Sequence, residues 1–90
     1  MAVTKKDIAV KIADRFSLNR KEAKEIVDMV FEEMKDSLAE GEDILISDFG
    51  TFKVRVGGYR YPGNNEPREQ ILEVVYTQTK AMKALVNRRE

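Results

Sequence analysis

The chain lacks both cysteine and histidine in its 90 residues. Without cysteine, no disulfide can support the core. Without either residue type, a transition-metal site is missing its usual sulfur and nitrogen ligands, and we expect neither a metal nor a bound cofactor. A domain of this size buries little apolar surface, so association with a second chain is the expected source of further stability.

Long apolar runs are also missing. The opening segment, MAVTKKDIAVKIADRF, alternates charged with apolar residues. This pattern is typical of neither a secretory signal peptide nor a membrane-spanning helix. We therefore expect a cytoplasmic, soluble protein that has no membrane partner.

Net charge is absent as well, because 16 Lys and Arg residues balance 16 Asp and Glu residues. Such a balance argues against indiscriminate attraction to polyanions. The charges are unevenly distributed: residues 1–48 carry eight cations and twelve acids, whereas residues 49–90 carry eight cations and four acids. This asymmetry, −4 against +4, indicates either a basic module that follows an acidic one or chance scatter on a highly charged surface.

Two amphipathic helices are predicted in the first half of the chain. Thr4 and Asp7 form a capping box at the start of a helix over about 4–15. A second capping box precedes a longer helix over about 19–40, whose apolar residues repeat at intervals of three and four. Gly41 follows where a left-handed residue commonly ends a helix.

The period of the apolar pattern then changes from that of a helix to that of a strand. Ile44 and Ile46 alternate with other residues, and the alternation resumes at Phe52 after a break. This predicts two strands that turn around Asp48-Phe49-Gly50. We expect Gly50 to let the chain bend, Asp48 to bond its own backbone, and both phenylalanine rings to point into the core.

The segment GGYRYPGNNEPRE at residues 57–69 is poor in aliphatic residues and is predicted to lie outside the core. Within it, Pro62-Gly63 suits the central positions of a type II turn. The apolar run at 70–76 predicts a third strand. A last helix is predicted over about 79–88, capped by Thr77 or Thr79.

The triplet DFG also occurs in protein kinases, where its aspartate holds magnesium. A kinase needs a histidine-containing catalytic loop, a glycine-rich loop and a strand lysine in a much longer chain. This chain has no histidine and no upstream glycine cluster, and no serine lies in a glycine-bounded nucleophile elbow. We therefore expect neither an enzyme nor a small-molecule substrate.

The stretch DFGTFKVR at residues 48–55 resembles the G-F-G-x-F-x-V-R signature of the bacterial HU / integration host factor family of histone-like DNA-binding proteins. The residues from Thr4 onward run in register with that family's two helices and first hairpin. VVYTQTKAMKALVN, at residues 74–87, resembles its closing strand and helix. The similarity covers nearly the whole chain except the tip of the arm.

Proteins of this family are intertwined dimers whose β-ribbon arms enter the DNA minor groove, where a proline near each tip kinks the duplex. The resemblance implies an α+β fold: an intertwined dimer of a helical hairpin, a three-stranded antiparallel sheet with a short β-ribbon arm, and a C-terminal helix. It predicts one domain over residues 1–90. The helical hairpin would occupy 1–41, the sheet 42–78 with its arm at about 57–69, and the last helix 79–90.

The resemblance also places the DNA-binding residues on the arm and on the closing helix. They are Arg55, Arg60, Tyr61, Pro62, Arg68, Lys80 and Lys83. Two alternatives stay open: the lysines only form a solvated helix face, and the proline only makes a turn. Tyr59 and Tyr61 are expected on one side of the ribbon, where they either stack on bases or sugars or pack against Pro67 or a partner protein.

These observations favour an architectural protein of the bacterial nucleoid that binds the minor groove of duplex DNA as a dimer. It would bend or package DNA with little sequence specificity. The alternative is an HU-fold dimer that acts as a protein-interaction scaffold or partner subunit with weak or lost DNA binding. The zero net charge and the tip sequence YPGNN, where the family typically has R-N-P-x-T-G, motivate that alternative. A homodimer is expected, and a heterodimer with a basic paralogue also fits.

Overall fold

The computed structural model describes residues 1–88. Within them the elements are α1 (Lys5–Phe16), α2 (Arg20–Ala39), β1 (Ile44–Ile46), β2 (Gly50–Arg60), β3 (Glu69–Gln78) and α3 (Lys80–Val86). This order confirms the predicted α+β fold. The chain divides into two compact units, a helical unit at Met1–Asp36 and a sheet unit at Ser37–Glu90. None of the helices within the described residues has the length and apolar character needed to cross a bilayer.

The start of α1 is fixed by the predicted capping box. The backbone N–H of Asp7 donates to Oγ1 of Thr4 at 3.3 Å, and the backbone N–H of Thr4 donates to Oδ2 of Asp7 at 2.9 Å. These two bonds satisfy amides that have no partner within the helix. The helix ends at Phe16, and the capping residue Ser17 that follows has a φ of 55°, in the left-handed region.

The longer helix α2 is bounded by the same kinds of local signal. At its start, the backbone N–H of Glu22 donates to Oδ1 of Asn19 at 2.8 Å, and the glutamate side chain accepts from the Asn19 amide at 3.3 Å. At its end, Gly41 adopts a φ of 81° and donates its N–H to the Leu38 carbonyl at 3.0 Å. Both predicted boundaries of α2 are therefore confirmed to within one residue.

Small side chains form the core of the helical unit. Ala9, Ala13, Ala23 and Val27 are the buried hydrophobic residues among those described, and partly buried hydrophobics of both helices pack around them. Alanines let two helices approach closely, but each removes little apolar surface from water. The core of this unit is therefore tight and contributes only modest hydrophobic stabilisation.

The sheet unit contains an antiparallel sheet in the order β1-β2-β3. The short β1 pairs only with Gly50, Thr51 and Phe52, whereas β3 pairs with β2 along its whole length, from Gly50 to Arg60. Beyond Phe52, β2 and β3 therefore continue without a third strand. We call this two-stranded extension, residues 53–60 and 69–75, the ribbon.

The turn between β1 and β2 differs from the expectation. Asp48, not Gly50, has the left-handed backbone, with a φ of 61°, and the Phe49 N–H closes the turn on the Ile46 carbonyl at 3.1 Å. Gly50 lies in β2, where the neighbouring strand leaves no room for a side chain. A Cβ there would approach the Thr77 carbonyl oxygen to 2.6 Å and would come closer still to the Tyr76 ring. The prediction that Gly50 bends the chain was wrong.

Three aromatic rings cluster in the sheet unit. The ring centroid of Tyr76 lies 5.5 Å from that of Phe49 and 5.1 Å from that of Phe52, and its hydroxyl donates to the Phe49 carbonyl at 2.9 Å. The sequence analysis placed Tyr76 in the third strand but did not predict its contacts with the two phenylalanines. The expectation that both phenylalanines enter the core is wrong for the single chain, in which Phe49 is 41% exposed and Phe52 is only partly buried.

The arm is more regular than its composition predicts. Strand pairing continues through Gly57 and Gly58, so that only residues 61–68 connect the two strands. The register shifts between Val56 and Gly58, which leaves Gly57 unpaired as a bulge. The predicted β-ribbon arm is therefore present, and β2 runs through its two glycines because cross-strand pairing overrides the weak strand preference of glycine.

The connection at the tip does not contain the predicted type II turn. That turn requires a positive φ at Gly63, which the structure does not show. The backbone N–H of Glu66 instead contacts the Gly63 carbonyl at 3.5 Å, with the two asparagines at the centre of the turn. The chain therefore reverses two residues later than predicted.

The last helix is shorter than predicted. Thr79 caps α3, accepting a hydrogen bond from the Met82 amide at 3.1 Å, whereas Thr77 lies in β3. The helix ends at Val86. The predicted helix over about 79–88 is therefore too long by two residues at its end, and positions 89 and 90 of the predicted segment 79–90 lie outside the described residues.

Candidate nucleic-acid interface

The ribbon has two chemically different faces, because successive strand residues point to opposite sides. The bulge at Gly57 shifts this alternation, so that Tyr59 joins the valines and Arg60 joins the other cations. The apolar face consists of Val54, Val56, Tyr59, Gln70, Leu72 and Val74. The polar face consists of Lys53, Arg55, Gly58, Arg60, Glu69, Ile71, Glu73 and Val75.

On the polar face, each arginine lies opposite a glutamate of the neighbouring strand. Arg60 donates from Nε to Oε2 of Glu69 at 3.0 Å, and its Nη2 contacts the same oxygen. Arg55 lies opposite Glu73, whose carboxylate lies over the unpaired Gly57: a Cβ on that glycine would come within 2.6 Å of Oε2. The three cations of this face are therefore offset by two carboxylates.

The tip of the arm is exposed, and a cation–π contact joins its connection to β2. The guanidinium of Arg68 stacks over the ring of Tyr59, with its Cζ 4.9 Å from the ring centroid. Tyr61 lies beyond the end of β2, is 68% exposed, and precedes Pro62 in the connection. The ring of Tyr59 thus packs under Arg68 of its own chain, a partner that the sequence analysis did not anticipate.

All seven predicted site residues lie in the sheet unit, on three different elements. Arg55 and Arg60 share the polar face of the ribbon. Tyr61, Pro62 and Arg68 lie in the connection, and the two lysines lie on α3, where both are exposed. The structure therefore brings the two strand arginines onto one surface and the three connection residues to one end of the ribbon.

A cationic cleft in the helical unit was missed by the sequence analysis. It has a volume of about 670 Å³ and lies between α1 and α2, with Ala9, Val10 and Val27 among its lining residues. Its polar lining residues are Thr4, Lys5, Lys6, Arg20, Lys24 and Asp28. The signal was present, since basic residues occur in the first turns of both helices.

These surfaces show no metal-binding cluster within the described residues, and the two groups whose pKa is clearly shifted lie on the helices. The described residues contain no cluster of three or more acidic side chains arranged to hold a metal ion. The hydrogen bond from the Thr4 backbone lowers the pKa of Asp7 below its ordinary value, and the hydrogen bond to Glu32 raises the pKa of Lys35. Both shifts belong to helix surfaces. The ribbon itself offers guanidinium groups and aromatic rings, which suit contact with a polyanion.

Comparisons with known proteins agree with this architecture. The sequence profile of the family described as "Bacterial DNA-binding protein" matches residues 3–87. Integration host factor subunit alpha of Hydrogenovibrio crunogenus is 43% identical over 65 residues, which cover 72% of this chain and 66% of that protein. The same subunit of Bordetella pertussis is 46% identical over 63 residues, covering 70% of this chain and 55% of that protein. The chain thus matches somewhat less than two thirds of the length of these curated relatives.

Solved structures of HU proteins have the same fold. HU from Thermotoga maritima superimposes with a TM-score of 0.66 at 25% identity, covering 94% of this chain and 100% of that one. The HU of an Anabaena HU–DNA cocrystal superimposes with a TM-score of 0.73 at 18% identity, covering 94% and 98%. The profile match over nearly the whole chain and the shared fold lead to one conclusion: the chain belongs to the bacterial DNA-binding protein family that includes HU and integration host factor.

Proposed function

We propose that this protein is an architectural DNA-binding protein that acts as a dimer, enters the minor groove with its ribbon and bends or packages the duplex with little sequence specificity. The observation that carries the proposal is the ribbon itself, which extends beyond β1 in a chain of this family. At the exposed end of the ribbon, the connection begins with Tyr61 and Pro62, which directly follow Arg60. This arrangement serves binding rather than catalysis.

The exposed apolar face of the ribbon supports a dimer. Leu72 is 57% exposed, Val74 is 51% exposed and Val56 is 45% exposed in the single chain. Contiguous apolar surface of this kind is uncommon on a monomer and marks a surface that a partner covers. A second copy of the chain is the proposed partner. A basic paralogue is the alternative, since the relatives from Hydrogenovibrio and Bordetella are themselves named as subunits.

The polar residues are proposed to divide the DNA contacts among them. Arg55, Arg60 and Arg68 would contact phosphates or the groove edges, and the exposed Lys80 and Lys83 of α3 would contact phosphates. Tyr61 and Pro62, which lie at the end of the ribbon, would contact the base steps. The wedge role of the proline is a proposal that its exposed position supports.

A bacterial DNA-binding protein of this kind would act on the nucleoid in the cytoplasm. Because its sequence carries no net charge, binding is expected to be weaker than that of a strongly basic relative and to depend steeply on salt. Contacts from the ribbon to the backbone and to the degenerate minor-groove edge carry little sequence information. The proposed activity is therefore shaping of DNA rather than selection of a site.

The proposal is tested by titrating a mixed-sequence duplex, labelled at both ends for energy transfer, at about 50 and about 200 mM salt. We expect binding at the lower salt, a shorter end-to-end distance in the complex, and much weaker binding at the higher salt. Substitution Pro62→Ala is expected to keep binding and lengthen the end-to-end distance if the ring wedges between base pairs. Lack of binding at both salt concentrations by an intact dimer would overturn the proposed function.

A further inference from the structure

On the polar face of the ribbon, Arg60 is ion-paired with an acid of the same chain, and Arg55 lies opposite another acid. Arg60 is bonded to Glu69 through two nitrogens, and the side chains are still 68% and 49% exposed. Arg55 lies opposite Glu73 in the strand register. An arginine bonded to a carboxylate presents fewer free donors to a phosphate, because its planar fork is already directed to an anion.

The Arg60–Glu69 pair is the one recorded ion pair on the described part of the ribbon. Of the three ion pairs found among residues 1–88, the other two, Lys5 with Asp28 and Lys35 with Glu32, lie in the helical unit. Only the pair on the ribbon uses one of the residues expected to contact DNA. The cross-strand partner is fixed by the register, and that register depends on the bulge at Gly57.

We propose that Glu69 and Glu73 are affinity-limiting residues: their carboxylates compete with DNA phosphates for Arg60 and Arg55, and DNA binding requires the Arg60–Glu69 pair to open. This inference rests on the proposed function and deepens it. The two acids reduce the net charge of the polar face from +3 to +1. They therefore limit both the affinity for any duplex and the number of counterions released on binding.

The test compares duplex affinity and its salt dependence for the wild type, Glu69→Gln, Glu73→Gln and the double variant. Removing the Glu69 carboxylate is expected to raise affinity roughly two- to fivefold, the worth of an exposed ion pair. Removing the Glu73 carboxylate, which lies opposite Arg55 without an ion pair among residues 1–88, is expected to raise it by less. The slope of log affinity against log salt is expected to steepen by about 0.9 for each arginine that gains a phosphate. Glu66→Gln is the matched control, since it removes the same charge from the same arm at a residue without an ion-pair partner among residues 1–88. Its effect should be smaller.

A double-mutant cycle separates pairing from general electrostatics. Glu69→Gln should raise affinity when Arg60 is present and have the smaller effect in an Arg60→Gln background. The Nε–H signal of Arg60 in the NMR spectrum of the free protein should shift on Glu69→Gln, a readout that needs no DNA.

The outcomes distinguish this inference from the proposed function. If the wild type binds and the Glu69→Gln and Glu73→Gln variants bind no better than Glu66→Gln, the inference is overturned and the proposed function stands. If only the double variant binds, the two acids do limit affinity, but the proposed function of the wild type is overturned. If none of the variants binds, both are overturned.

Discussion

The helical unit and the sheet unit of this chain differ in how completely they bury their apolar residues. The helical unit buries four small side chains of its own, and both of its helices are capped by local hydrogen bonds. The sheet unit has, among residues 37–88, no buried side chain in that core set, and the apolar face of its ribbon is exposed. The helical unit thus has a small core of its own, although Ile26, Met29 and Val30 of α2 stay exposed, whereas the described part of the sheet unit has no such core.

The difference follows from how each kind of element is stabilised. A helix satisfies its backbone within one segment, so that short sequence signals decide where it begins and ends. In a two-stranded ribbon, half of the backbone hydrogen-bonding groups pair with the other strand. The ribbon has no further element of its own to cover both of its faces. The exposed valines and leucine on one face and the arginines on the other are therefore the positions at which partners are expected to act.

The largest effect is expected from Gly50→Ala, which tests whether the sheet unit depends on one close contact. The new Cβ would meet the Thr77 carbonyl oxygen at 2.6 Å and would clash with the Tyr76 ring, which cannot move without losing its bond to Phe49. We expect a loss of about 2–3 kcal/mol in the free energy of unfolding, typical of overpacking against rigid neighbours. Thermal unfolding followed by circular dichroism measures it.

Gly58→Ala is the matched control, because a Cβ at Gly58 would meet no atom within 4 Å. Its melting temperature should stay close to that of the wild type. Equal melting temperatures for the two variants would show that the strand contact at Gly50 does not limit stability.

The second largest effect is expected from Val74→Glu, which places a charge on the apolar face of the ribbon. If a second copy covers that face, the buried carboxylate has no partner and association should weaken by at least about tenfold. Val75→Glu is the control: the adjacent valine lies opposite Lys53 on the polar face. Sedimentation should show monomer for the first variant and dimer for the second. Dimers of equal stability would place the interface elsewhere.

The boundaries of the helices could be predicted from the sequence, whereas the ribbon could only partly be predicted. Thr4, Asn19 and Gly41 act on backbone groups within four residues, and each acts where the pattern places it. The course of β2 through Gly57 depends on β3, which lies more than ten residues away along the chain. Pairing of that kind leaves no local signal in a glycine-rich segment.

The candidate site, too, could be predicted from the sequence only in part. The family resemblance supplied the seven expected residues, and they lie on the ribbon, its connection and α3. It did not supply the opposition of Arg60 to Glu69, because that contact exists only in the observed register. Tyr76 was overlooked for a similar reason, since its ring is joined to Phe49 by the fold and not by sequence spacing.

A smaller effect is expected from replacing one cation in each unit and comparing how DNA affinity then depends on salt. Lys83→Gln removes an exposed cation of α3 and should flatten the salt slope by about 0.9, the contribution of one phosphate contact. Lys35→Gln removes a cation of the helical unit whose Nζ already lies 2.6 Å from Oε1 of Glu32. Its slope should match that of the wild type. If Lys83→Gln also leaves the slope unchanged, the α3 lysines only form a solvated surface.

The smallest effect is expected at the cap of α1, where the helical unit is sensitive to acid. Hydrogen bonds from Thr4 hold the pKa of the exposed Asp7 below its ordinary value of 3.8. A carboxyl group with a lowered pKa in the folded state stabilises the fold above the unfolded value, and this contribution is lost as the pH falls through the folded one. Asp7→Asn should therefore slightly lower stability at neutral pH and flatten its decline below about pH 4, whereas Asp14→Asn, which leaves the cap bonds intact, should keep the wild-type decline. Parallel curves for the wild type and Asp7→Asn in urea unfolding between neutral and acid pH would show that the capping box contributes nothing to the pH dependence.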